Sequence, residues 1–215
     1  MASWRKELKE LTRRLPEVGA ESAAMADAMG EKETDRGCAL ITGSIAENAL
    51  EAILQTGTVS LSKTRRDELF GIDGVMGSFS AKIKVAFAFG LIDAELRDQF
   101  DRLREIRNAF AHAKVAINFN TPAVRHSCVG LLKSRDDKRI EPRNLYVNTT
   151  LLLMLAGSLA VRRERTSMFP APISYDEALA FFEKWFRQFQ QQIQQNLPEA
   201  NKATTPEGPP QSSAG

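Results

Sequence analysis

The chain has 215 residues, enough to bury one sizeable core or to carry one domain with appendages. Its 29 basic and 27 acidic residues leave a formal charge of +2, which excludes a strong overall field for nucleic acid and leaves only local clusters to weigh. Two cysteines, Cys38 and Cys128, match no disulfide or zinc spacing, so the composition points to a reduced, cytoplasmic protein with no metal and no cofactor.

The N-terminal MASWRKELKELTRRL lacks the apolar stretch of a secretory signal. Trp4, Leu8, Leu11 and Leu15 recur at helical spacing and Pro16 closes the run, so residues 1–16 read as an N-terminal helix. Residues 17–33 are small and polar and read as a linker. A single helical domain is expected over 34–195. Asp35 opens a helix reaching about Gln55, with Leu40, Ile41, Ile45, Ala49 and Ile53 on its apolar side. Gly37, Ala39, Gly43 and Ala46 give a neighbouring backbone room to approach. Thr56–Leu69 is mixed in character. FGIDGVMGSFS carries three glycines and reads as a loop, with Ser78 or Ser80 placed to cap the short apolar helix AKIKVAFAFGL.

Asp93 caps a long helix over Ala94–His112. The following KVAINF alternates as a short strand would, and GLL near residue 131 is a candidate partner for it. Residues 122–130 suit a short helix. Leu145–Arg163 forms a long apolar helix whose most apolar run, Leu151–Val161, is about half of what a bilayer crossing requires. Ser174 caps a last helix rich in aromatics. Residues 196–215, dominated by Pro, Thr, Ser, Gly and Gln, read as a disordered tail. The expected fold is mainly α: a helical bundle with a small extended or two-stranded insertion.

Advancing about 100° per residue along Ala94–His112 places Leu96, Phe100, Leu103, Ile106 and Phe110 in one apolar stripe. Asp101, Glu105, Asn108 and His112 form the opposite stripe. Arg107 falls inside the apolar stripe, where a guanidinium has to snorkel outward or find a carboxylate, and Glu47, Asp67 and Glu68 are the candidate partners. Arg107 and His112 lie about 140° apart, whereas Asn108 and His112 are neighbours one turn apart. A site that uses both Arg107 and His112 therefore needs an unwound last turn or a second subunit.

The segment LFGIDGVMGSFSAKIKVAFAFGLIDAELRDQFDRLREIRNAFAHA, followed by KVAINFNTPAVRHSCVGL, resembles the core of the mannitol operon repressor family. The likeness covers roughly residues 34–132 and extends more weakly to about 165. It implies a mainly helical cytoplasmic bacterial protein assigned to control of transcription, from a family without a recognisable helix-turn-helix, and none is found here. Arg107, Asn108 and His112 also resemble the signature of HEPN-type helical bundles. Many of those dimerise; some cleave RNA, and others bind nucleotides or regulate a partner.

Under that second resemblance His112 acts as acid or base, Arg107 holds a phosphate, and Asn108 fixes the imidazole or contacts substrate. The plainer reading makes His112 a helix C-terminal cap and Arg107 a register-fixing ion pair. Three basic stretches, around Arg65 and Arg66, at 133–143 and at 162–165, are each diluted by acids and need to converge before they make a phosphate-binding face. The glycine loop lacks P-loop order, although its amides and Lys82 resemble a phosphate cradle in outline. His126 has no ligand-spaced neighbour. On the last helix Phe182, Trp185, Phe186 and Phe189 share one face, with Phe181 to the side; this is core or protein interface. Glu47 and Phe110 belong with them as structural or interface positions. The whole points to a non-enzymatic regulator with a protein partner and a homo-oligomeric state, reaching nucleic acid indirectly and involving no membrane. The alternative is a metal-independent endoribonuclease or nucleotide-binding module using Arg107, Asn108 and His112.

Overall fold

The computed structural model describes residues 30, 33–132, 140–163 and 173–196, with side chains to 191. The expected N-terminal helix and most of the linker, residues 133–139 and 164–172, and the tail beyond 196 lie outside the described residues. The fold is mainly α, with seven helices among the described residues: α1 (Asp35–Thr56), α2 (Lys63–Phe70), α3 (Phe79–Ala88), α4 (Ala94–His112), α5 (Pro122–Val129), α6 (Pro142–Arg162) and α7 (Tyr175–Asn196).

The helices start where short polar side chains catch free amides. Thr34, Ser62, Ser78, Asp93 and Ser174 accept from backbone N–H groups in the first turns of α1, α2, α3, α4 and α7. Prolines at N1, whose missing N–H costs nothing there, open α5 and α6. Asp93 also acts at a distance, because its other oxygen accepts the Tyr175 amide at 2.7 Å and so ties the start of α7 to the start of α4.

α1 and α6 form the central pair and run in the same direction. Near their N-terminal ends the Tyr146 hydroxyl donates to the Ala39 carbonyl at 3.1 Å. Further along, Gly157 rests on the backbone of α1, where an added Cβ would stand 2.9 Å from the Ala49 carbonyl oxygen. By length and mean hydropathy both helices could cross a membrane. Here they are buried against each other and against α3, α4 and α7. α4 lies antiparallel to α1, with Arg36 beside Ala111 and Arg107 beside Gly43. Phe110 is buried on Phe119, ring centroids 4.8 Å apart, and Phe119 continues to Tyr146 at 5.3 Å.

The expected insertion does not form a strand pair among the described residues. Side chains take the amides that a ladder would use. Asp35 accepts from Phe119 N at 2.9 Å, Thr121 from Asn118 N at 3.0 Å, and Gln99 from Leu132 N at 3.1 Å. Leu132 also has a positive φ of 49°, incompatible with a regular strand. The one β feature described is a single parallel bridge between Ile92 and Ile173, at the seam between α4 and α7. α2, in the stretch read as mixed, is short and buries only Phe70.

Candidate functional site

α4 is helical through His112, so the phase read from the sequence applies to the folded chain. Leu96, Phe100, Leu103, Ile106 and Phe110 are buried, whereas His112 is exposed. Arg107 turns toward α1. Its stem lies over Gly43, the residue that makes room for it: a Cβ at Gly43 would meet Arg107 Cγ at 2.6 Å. The guanidinium, 30 % exposed, stands 4.0 Å from the Glu47 carboxylate, and Glu47 is the candidate partner that lies within ion-pair distance. Its Nη1 donates to the Asn108 side-chain oxygen at 3.0 Å, while its buried Nε has no hydrogen-bond partner.

Glu47 does not serve Arg107 alone. The Lys82 ammonium on α3 donates to Glu47 at 3.1 Å and sits 2.9 Å from Glu51. Lys82 is 5 % exposed, so α1, α3 and α4 meet around two carboxylates, one ammonium and one guanidinium whose charges cancel. Such a cluster is tolerable in the interior only because every charge faces an opposite one. The sequence pattern placed Lys82 near a possible phosphate; the fold instead commits it to two carboxylates. The available signal was on α1: Glu47 and Glu51 are one turn apart on an otherwise apolar helix, and two like charges on one face call for a cation.

His112 stands apart from this cluster, in the exposed last turn of α4, and makes no hydrogen bond or ion pair among the described residues. In the same turn Arg36 of α1 donates to the Ala111 carbonyl at 2.8 Å. Beside it, Arg143 of α6 bonds Asp35 at 3.1 Å and the Gly30 carbonyl at 3.2 Å, closing that end of the bundle. Within one chain, Arg107 and Asn108 are therefore joined, and His112, one turn beyond Asn108 on the same helix, is bonded to neither among the described residues.

The other sequence candidates are dispersed. The glycine-loop amides are used inside the loop: Gly71 N reaches Asp67 O at 2.9 Å, Gly74 N reaches Gly71 O at 2.8 Å, and Met76 N reaches Leu69 O at 2.9 Å. None of these three is left to hold a phosphate. The tied loop instead lifts Ile72 and Val75 into solvent, 86 % and 78 % exposed. Several basic side chains face acids of their own chain: Arg65 with Glu68, Arg97 and Arg104 with Asp101, Arg163 with Glu177. His126 is exposed on α5, and among the described residues no three His, Cys, Asp or Glu side chains cluster as metal ligands. Burial pushes the Cys128 thiol up to about 12 and raises that of Cys38, against a lowering by Arg143. On α7, Phe182 is fully buried and stacks on Phe186, while Trp185 stacks on Phe189, which is 39 % exposed.

No protein-family model matches the chain, no curated protein matches it, and no solved structure matches it.

Proposed function

We propose that the chain is a cytoplasmic regulator of transcription that works through protein contacts, as its likeness to the mannitol operon repressor family suggests. The observation that carries this reading over a nuclease is the position of Arg107. Its stem is packed over Gly43 and its guanidinium is shared between Glu47 and Asn108, so it faces the bundle and not a substrate. Internal pairing of Arg65, Arg97, Arg104 and Arg163 also weakens any positive stripe that would follow a nucleic-acid backbone. Ile72 and Val75, held out by a loop tied through its own amides, offer an apolar contact of the kind protein interfaces use.

The test is capture of partners from native lysate, with and without nuclease treatment, using wild type beside an Ile72→Asp, Val75→Asp variant. A specific protein retained after nuclease and lost from the variant is the expected result. Recovery that vanishes on nuclease treatment would overturn the proposal.

One observation favours the ribonuclease alternative: His112 is exposed and makes no hydrogen bond or ion pair among the described residues, and Arg107 has a buried Nε with no hydrogen-bond partner among them. A second copy of the chain would have to bring one chain's His112 to the other's Arg107. Purified protein incubated with mixed RNA in EDTA, beside His112→Ala, decides it. Cleavage by the wild type alone supports the nuclease, and identical RNA patterns end it.

A further inference from the structure

α3 closes with a turn that sends one apolar residue inward and leaves another out. Leu91 N donates to the Ala86 carbonyl at 2.9 Å and Gly90 N to the Phe87 carbonyl at 2.9 Å, with Gly90 at a φ of 63°. Leu91 is thereby turned into the core, where a Cβ on Gly57, at the end of α1, would meet it at 2.9 Å. Phe89 is left 76 % exposed. Val59, two residues past Gly57, is 79 % exposed at the same end of the bundle. Phe87 adds a third apolar tip, with the Arg97 guanidinium 4.7 Å from its ring centre. The ground beside them is open, since a Cβ on Gly90 would meet nothing within 4 Å beyond its chain neighbours.

Two features decide what meets these tips. They project from the ends of two helices, α1 and α3, and do not continue one helical stripe, so a partner helix finds no unbroken seam. A fluid boundary of headgroups and acyl chains takes up separate tips without matching their shape. The second feature is charge. Lys63 opens α2 four residues after Val59, Lys84 lies one turn before Phe87 on the same helix face, and Arg97 covers Phe87. Arg162 ends α6, whose neighbour Arg163 pairs with Glu177 at the start of α7, beside Asp93. Against these four cations stand the exposed Asp98 and Asp176, while Asp101 is shared by Arg97 and Arg104. The oxygens of Asp93 are taken by the amides of Leu96 and Tyr175. The end is net positive, and each cation near an anionic bilayer strengthens partition about fivefold.

We infer that this end of the bundle, centred on Val59, Phe87 and Phe89, docks on the surface of an anionic lipid bilayer. The tips enter at headgroup level and the cations meet lipid phosphates and carboxylates, while α1 and α6 stay packed in the bundle. The surface follows α3, whereas the Ile72–Val75 loop precedes it, so the inference does not rest on the proposed function.

Co-sedimentation of the full chain tests this, with vesicles of phosphatidylcholine alone and of phosphatidylcholine mixed with phosphatidylserine. Partition onto the mixed vesicles is expected to be about tenfold stronger or more, and to fall as salt is added. Phe89→Asp, and separately Lys63→Glu with Lys84→Glu, all at exposed positions, should each weaken it about tenfold or more with an unchanged far-ultraviolet circular dichroism spectrum. Ile72→Asp with Val75→Asp should bind like the wild type. Equal or absent partition onto the two vesicle types overturns the inference. So does binding that survives Phe89→Asp, which leaves charge alone, or binding lost in the Ile72, Val75 variant, which moves the contact to the other loop. Pelleting without vesicles also overturns it and assigns the face to a second copy.

Discussion

Lys82→Met removes one ammonium from the junction of α1, α3 and α4 and leaves Glu47 and Glu51 facing each other. The wild-type ammonium stands 3.1 Å from Glu47 and 2.9 Å from Glu51. At an effective dielectric constant near 20, a unit-charge pair at that separation is worth about 5 kcal/mol before desolvation. Breaking a buried pair by deleting one partner costs about 3–5 kcal/mol. The two carboxylates are 18 % and 20 % exposed, so water recovers part of that loss and the lower end applies. A loss of about 3 kcal/mol is expected, a large share of the roughly 5–15 kcal/mol that a domain has in total. Urea unfolding followed by far-ultraviolet circular dichroism measures it. Adding Glu47→Gln and Glu51→Gln to Lys82→Met should recover part of the loss, because the two carboxylates no longer face each other, although Arg107 then lacks Glu47. A single-variant loss under about 1 kcal/mol, or a triple variant no better than the single, would refute the charge-cluster reasoning.

Asp93→Ala removes both the cap of α4 at 2.8 Å and the acceptor for Tyr175 N at 2.7 Å. The expected cost is about 2 kcal/mol by thermal unfolding, against about 1 kcal/mol for an ordinary cap, with increased amide exchange at the start of α7. The thiols of Cys38 and Cys128 are buried and shifted up, so a thiol reagent at pH 8 should label neither in the folded chain and both in denaturant. The same shift has a stability consequence. The folded thiol of Cys128 releases its proton near 12 and the unfolded thiol near 9, so its contribution is complete below about pH 9 and is lost as pH rises toward 12. Unfolding midpoints measured across that range should fall with pH, less steeply in Cys128→Ala.

What was legible in the sequence was local. The caps Ser78, Asp93 and Ser174, the helix ending at His112, and the inward phase of Arg107 all follow from residue type and a fixed rotation per residue. What was hidden depended on groups far apart in the chain. Lys82 finds its carboxylates 31 and 35 positions away, a pairing no local spacing encodes. KVAINF alternates like a strand, yet the Phe119 amide goes to Asp35, 84 residues distant, so local alternation was overridden by a tertiary acceptor. α2 was obscured because it contributes only Phe70 to the core and so carries almost no periodic signal. For the candidate site, helical phase puts Arg107 and His112 on different faces, and α4 is helical through His112.

A double-mutant cycle on Arg107 and Glu47 bears most directly on the assignment of Arg107 to the bundle's own ion network. Unfolding free energies are compared for wild type, Arg107→Met, Glu47→Gln and the double variant. The two side chains share one network across 4.0 Å with partial burial, so a favourable coupling of about 0.5–2 kcal/mol is predicted. Additivity within about 0.3 kcal/mol would contradict it and leave the guanidinium free for a ligand.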